Sequence, residues 1–206
     1  MNKNAGEVSI MITGENDFKT LYNALCEYSP VPAAEWDELK PQIRYRQMKP
    51  NEILVNVGEK PKDLHFIVSG LFRIYYTAET GAERTLVFRS KTNFIAAYSS
   101  FLKGTAADYT IQALEDSTLL SIPFNEYHQL LQERSCWNAI RQKYEQMLFI
   151  EQEEREKQFL ISNAEERYLL FLKKYPGLIH RIPHYLIASY LGITPETLSR
   201  IRKRKN

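Results

Sequence analysis

The spacing of apolar residues changes character twice along this 206-residue chain. Phe18, Leu21, Tyr22 and Leu25 recur at helical intervals and predict a first helix, preceded by a tail over residues 1–15 that reads as frayed. Trp36 and Leu39 predict a short second helix after Val31-Pro32. From about residue 44 the texture is β-prone, with strands expected at Ile53–Val55, Leu64–Val68, Leu71–Tyr76, Thr85–Phe88, Tyr109–Leu114 and Thr118–Ile122. Turn signals fall between them at Asn56–Glu59, Ser69-Gly70, Glu79–Ala82 and Lys103-Gly104. Many short strands so spaced predict a jelly-roll sandwich or barrel.

Helical spacing returns after Pro123. Asn125–Gln132 reads as a short helix, and Cys136 to about Leu160 as a long one with a narrow apolar stripe of Trp137, Ile140, Tyr144, Met147 and Leu148. Such a stripe on an otherwise charged helix reads as a dimer seam, with packing on the barrel as the alternative. Ser162-Asn163 breaks the pattern as a hinge, and Glu165–Tyr175 is a further helix ended by Tyr175-Pro176-Gly177. The expected fold class is α+β, in three parts: an N-terminal jelly-roll β-barrel with its leading helices over residues 1–134, a long central dimerisation helix over 135–161, and a C-terminal helical domain over 162–206.

The last part is the most informative. From His184, helical spacing puts Ile187, Ala188 and Leu191 on one face, with Ala188 small where a second helix must cross closely. Gly192 stands at the helix end, where a left-handed backbone favours glycine. Ile193 plugs the turn, Thr194 suits an N-cap, Pro195 the first helical position, and Glu196 the positive end of the helix dipole. Leu198 and Ile201 point back to the core, leaving Pro195, Glu196, Ser199, Arg200 and Lys203 outward. An ordinary helical hairpin would satisfy the apolar pattern. The cationic outward face points instead to a helix-turn-helix that lays its second helix in the major groove of double-stranded DNA.

Charge distribution agrees. The chain carries a net charge of only +2, but residues 162–206 hold nine Lys/Arg against three Asp/Glu, while the rest of the chain is mildly acidic. A basic end on an acidic body suits a chain that offers one end to a polyanion. No apolar run approaches the ~18 residues of a membrane span, so no membrane partner is expected. The N-terminal stretch has no sustained apolar region, and Cys26 and Cys136 make neither a disulfide framework nor a metal cluster; a cytoplasmic protein is the expectation.

The order β-roll, long helix, helix-turn-helix resembles the Crp/Fnr family of bacterial transcription regulators. The sharpest local matches are Gly58-Glu59, His65–Gly70 and Gly192–Arg200, and the recognition segment GITPETLSRIRKR looks like the branch common in Bacteroidetes-type bacteria. The resemblance implies a cyclic-nucleotide-binding-like roll and a homodimer on a near-palindromic operator, with RNA polymerase as a further partner. It puts base reading on Glu196 and Arg200: a carboxylate accepts from cytosine N4, and arginine grips guanine O6 and N7. Pro195 stands where the family has a basic residue. Thr194, Thr197 and Ser199 are placed to reach phosphate or base, and Arg202, Lys203, Arg204 and Lys205 to hold phosphates.

The family's phosphate cassette needs a Gly-Glu pair and an Arg-Ser pair. This chain offers Ala96-Ala97 and Ala107-Asp108, which cannot bond a ribose hydroxyl or neutralise a phosphate, and Asp108 repels an anion. Tight cyclic-nucleotide binding is therefore not expected. Tyr98, Ser99, Ser100 and Tyr109, with Arg89 on a preceding strand, would frame a pocket for an unknown small-molecule effector, or else simply pack or face water. An unliganded, constitutive regulator is equally compatible. No metal or cofactor is expected: one N-terminal cysteine is too few for an iron–sulfur sensor, and His65, His128, His180 and His184 read as lone structural or surface histidines, with Pro183 separating the last two. A cupin-like enzyme would need clustered ligands on the strands, where only His65 lies, so no enzyme is expected. A sensor acting by protein contact is the remaining alternative.

Overall fold

The computed structural model describes residues 4–133 and 135–205, with side chains over 14–131 and 135–204. Helix α1 (Asn4–Tyr28) begins well before the expected start, so residues 4–15 are helical rather than frayed. No proline interrupts that stretch, and the helix is pinned where Tyr45 Oη donates to Gly14 O at 3.1 Å. Helix α2 (Ala33–Leu39) starts directly after Pro32, as read from the sequence. Phe18, Tyr22 and Trp36 join the two helices through edge-on ring contacts.

Two four-stranded sheets follow, ordered β1-β8-β3-β6 and β2-β7-β4-β5. Their strands are β1 (Arg44–Met48), β2 (Ile53–Val55), β3 (Asp63–Ser69), β4 (Leu71–Thr77), β5 (Glu83–Ser90), β6 (Phe94–Ile95), β7 (Thr110–Ala113) and β8 (Ser117–Pro123). Every pairing is antiparallel. β1 and β6 were not expected. β1 is a polar edge strand with four exposed side chains, held by its ladder to β8, and β6 is two residues long; neither leaves an apolar alternation to read. Ile67, Phe72, Ile111 and Leu119, all fully buried, fill the space between the sheets.

Helix α3 (Tyr98–Lys103), closed by left-handed Gly104, lies in the segment between β6 and β7 and was also unexpected. Helices α4 (Phe124–Glu133) and α5 (Ser135–Ile161) follow β8. The α5 stripe read as a dimer seam lies instead largely against the roll. Trp137 and Ile140 are buried in one core with Leu25, Leu39, Leu64 and Phe94. Tyr144 meets Phe94 at 5.8 Å and Tyr28 at 5.9 Å. The physical reason is that the first sheet has an apolar outer face of its own, which the nearest amphipathic helix covers. Met147 of that stripe stays exposed, and α5 also leaves Phe149, Ile150, Phe159, Leu160 and Ile161 to solvent.

Asn163 caps helix α6 (Ala164–Lys174) in a reciprocal capping box with Glu166, which explains the break at residues 162–163. A 3-10 turn (Leu178–His180) leads to α7 (His184–Leu191) and α8 (Pro195–Lys205). A third core joins Phe171, Leu178, Ile187, Leu191 and Leu198 to Leu71 and Phe88 of the roll, so the C-terminal helices dock on the second sheet.

Candidate nucleic-acid interface and effector pocket

The helix-turn-helix forms as its local chemistry dictates. Ile187, Ala188, Leu191 and Leu198 are all at most 1% exposed, Ile201 is buried, and Ile193 is half-buried against the same core. Gly192 takes φ 67° and ψ 33°, and the Ile193 N–H reaches back to Ala188 O at 3.1 Å. Thr194 Oγ1 accepts from the Thr197 N–H at 3.3 Å as the N-cap of α8.

On the outer side of α8, Thr194, Pro195, Glu196, Ser199, Arg200, Lys203 and Arg204 are exposed. Glu196 and Arg200, one turn apart, share a face. Hydrogen bonds from the Thr194 side chain and a backbone N–H hold the Glu196 carboxyl below its usual range, so it is an acceptor at neutral pH. Arg200 Nη2 donates to Thr197 Oγ1 at 3.3 Å, a tether that leaves the guanidinium at the surface. Arg202 departs from the expectation: it is half-buried and bonded to His184 Nε2, turned toward α7 because its position on α8 falls beside Leu198 and Ile201. The Lys205 side chain lies outside the described residues.

The expected effector residues divide. Arg89, Ala96, Tyr98, Ser99 and Tyr109 line a cavity of about 420 Å³ between the roll and α5. Ala97 and Ala107 are packed into the core between the sheets, Ser100 is buried, and Asp108 is exposed; none of these four lines it. Tyr109 Oη donates to Ala96 O at 3.2 Å, and burial pushes its pKa up to about 12. Tyr98 Oη donates to Glu145 Oε1 at 2.9 Å, and burial together with Tyr127 and Glu145 holds the phenol neutral.

The rest of the lining was not read from the sequence: Tyr76 on β4, beside Tyr109, with Tyr144, Leu148, Glu151 and Arg155 on α5 and Lys174 on α6. Arg89 Nη1 donates to Glu151 Oε1 at 2.9 Å, its Nη2 takes the other oxygen, and Lys174 Nζ lies 2.7 Å from Oε1. Burial would raise the Glu151 pKa, but the Arg89 hydrogen bond and charge, helped by Lys174, outweigh it and bring it down to about 2. This triad ties the roll, the central helix and the C-terminal domain at one point. A lone arginine on a strand facing a cavity was the only sequence signal for it.

The docking itself caps the free edge of β5. Ser189 Oγ donates to Glu83 O at 3.0 Å and accepts from the Thr85 N–H at 2.9 Å. Arg155 Nη2 donates to both Thr85 O and Tyr190 O while its guanidinium stacks 4.1 Å over the Tyr190 ring. Of the histidines, His65 is buried with Nδ1 2.7 Å from Ser121 Oγ, and burial, then Arg46, drives its pKa to about 3. Among the described residues no group of three or more His, Cys, Asp or Glu could hold a metal ion, and no helix is long and apolar enough to cross a membrane.

Comparison with known proteins places this architecture. Residues 45–134 match the cyclic nucleotide-binding domain. The anaerobic regulatory protein of Pasteurella multocida is 26% identical over 195 residues, covering 87% of this chain and 70% of that protein. The regulatory protein HlyX of Actinobacillus pleuropneumoniae is 24% identical over 179 residues, covering 78% and 71%. A crystal structure from Eubacterium rectale, described as a transcriptional regulator of the Crp/Fnr family, superposes with a TM-score of 0.70 at 20% identity over 86% of this chain and 87% of that one. The chain thus carries a cyclic nucleotide-binding domain over residues 45–134 followed by a helix-turn-helix, and shares the overall fold of that Crp/Fnr-family structure.

Proposed function

We propose that the protein is a cytoplasmic transcription regulator that binds double-stranded DNA as a homodimer and responds to an effector other than cyclic AMP. One observation carries the reading. The inner face of α8 is buried through Leu198 and Ile201, while Glu196, Ser199, Arg200 and Lys203 are exposed on the other. Glu196 and Arg200 read base edges; Ser199, Thr197, Lys203 and Arg204 contact phosphates. Arg202, committed to His184, steadies α8 rather than touching DNA.

The second copy joins through the exposed apolar side chains of α5, Phe149, Ile150, Leu160 and Ile161. Two recognition helices then meet half-sites about one helical turn apart. The effector cavity is the one between the roll and α5. Ala97 and Ala107 stand in the sequence where a cyclic nucleotide needs Glu and Arg, and both are buried in the core rather than facing the cavity, which is why cyclic AMP is not the effector. Regulation is a shift between two dimer arrangements that re-aims α8 through α5, with RNA polymerase as the downstream partner.

Selection of bound sequences from a random DNA pool with purified protein tests this. The expected result is an inverted repeat whose half-site centres lie about 10 base pairs apart. Recovery of no preferred sequence by folded protein would overturn it and favour a sensor that acts by protein contact.

A further inference from the structure

We propose that the cavity between the roll and α5 is a site for a small aromatic anion, and that this anion binds by taking Arg89 away from Glu151. The inference rests on the sensor half of the preceding reading and specifies its ligand class and its switch.

The cavity has the volume of a small-molecule site, about 420 Å³. Tyr76, Tyr98, Tyr109 and Tyr144 supply flat apolar walls. The floor carries a fixed positive charge: the Arg89 guanidinium, 15% exposed, with Lys174 beside it. A neutral ligand offers Arg89 nothing in exchange for the Glu151 carboxylate. An anion is attracted to the guanidinium, and a carboxylate or phosphate matches its two-pronged geometry.

Both prongs are already taken by the two oxygens of Glu151. Glu151 therefore acts as an internal substitute for the ligand's acid group. The exchange conserves charge pairing, because Glu151 keeps Lys174 as its partner when Arg89 turns to the ligand. A buried cation is never left bare, which keeps the exchange from costing the several kcal/mol of an unpaired buried charge. The exchange also cuts the link from β5 to α5 at the point where α5 is joined to α6 through Lys174. The ligand thus removes one tie between the roll and the α5–α6 unit, at the place where Lys174 of the C-terminal domain lines the cavity.

Competition leaves a signature that a merely structural ion pair does not. Phenyl phosphate is the probe, with benzyl alcohol as the neutral control, titrated calorimetrically into the full-length protein in the absence of DNA. Glu151→Gln removes the competitor and is expected to bind phenyl phosphate about tenfold more tightly than the parent protein. Glu151→Asp, whose shorter side chain cannot hold both prongs, should shift the same way and serves if the first variant does not fold. Arg89→Gln should abolish binding, and benzyl alcohol should bind none of them. Equal or weaker binding by both folded Glu151 variants, or no binding by any of the proteins, would overturn the proposal. Because no DNA is present, that failure leaves the DNA-binding reading standing, and a failed DNA selection leaves this titration unaffected.

Discussion

Gly192 lies hard against Phe159: a β-carbon at position 192 would sit 2.9 Å from the Phe159 ring. The turn of the helix-turn-helix is thereby seated on the end of the central helix. Phe159 is itself held beneath two cations, with Arg155 at 4.9 Å and Arg167 at 5.1 Å from its ring centre. Gly192 therefore answers two demands at once, a left-handed φ of 67° and a close approach.

Gly192→Ala is expected to lower stability by about 1–2 kcal/mol from the left-handed backbone alone, with the ring clash added. Chemical denaturation of the single variants and of Gly192→Ala with Phe159→Ala separates the two. The double variant should recover the clash and keep the backbone cost, so the pair is non-additive. Strict additivity would show that the ring moves aside freely.

Arg200→Ala should weaken binding to the selected operator by about 1–3 kcal/mol and relax preference at one base pair. Lys203→Ala should weaken all sequences alike and reduce the salt slope by about one. Anisotropy titrations at several salt concentrations distinguish these outcomes. Arg202→Ala should act mainly on stability, since its partner is His184.

Acid should destabilise the fold in two windows. His65 has its pKa lowered from 6.5 to about 3, so the unfolded chain binds the extra proton first. Stability is lost as pH falls from about 6.5 toward 3, at up to about 1.4 kcal/mol per pH unit. Glu151 is lowered from 4.5 to about 2; its contribution is full above 4.5 and is lost as pH falls toward 2. Urea midpoints measured from pH 7 to 3 should show Glu151→Gln flattening only the lower window. A loss of slope above pH 5 in that variant would contradict the assignment.

Ile150 and Leu160 are 54% and 75% exposed, so Ile150→Glu with Leu160→Glu should leave the protomer fold within about 0.5 kcal/mol per site. Sedimentation should show a monomer at concentrations where the parent is a dimer, and operator affinity should collapse. Trp137→Ala, by contrast, should destabilise by about 3–5 kcal/mol because that side chain fills the core behind the roll.

The helix-turn-helix was legible residue by residue because its determinants are local. Gly192, Thr194, Pro195, the 187–188–191 triplet and the 198–201 pair act within one short stretch, through backbone conformation and helical period. The strands of β3, β4 and β8 were legible for the same reason, since alternation and turn residues are set by near neighbours. Short polar strands such as β1 carry no such mark, because backbone pairing with β8 holds them.

What the amino-acid order alone determined was thus most of the element sequence, the local geometry of the helix-turn-helix and which side of α8 is apolar. Only the tertiary structure decided which face of α5 meets the roll, which of the candidate effector residues share a cavity, and that Arg89 is paired with Glu151 across 62 residues of chain. An amphipathic stripe states that a face must be covered, not by what. A charged side chain likewise declares its need for a partner, and distance in the sequence says nothing of where folding will supply one.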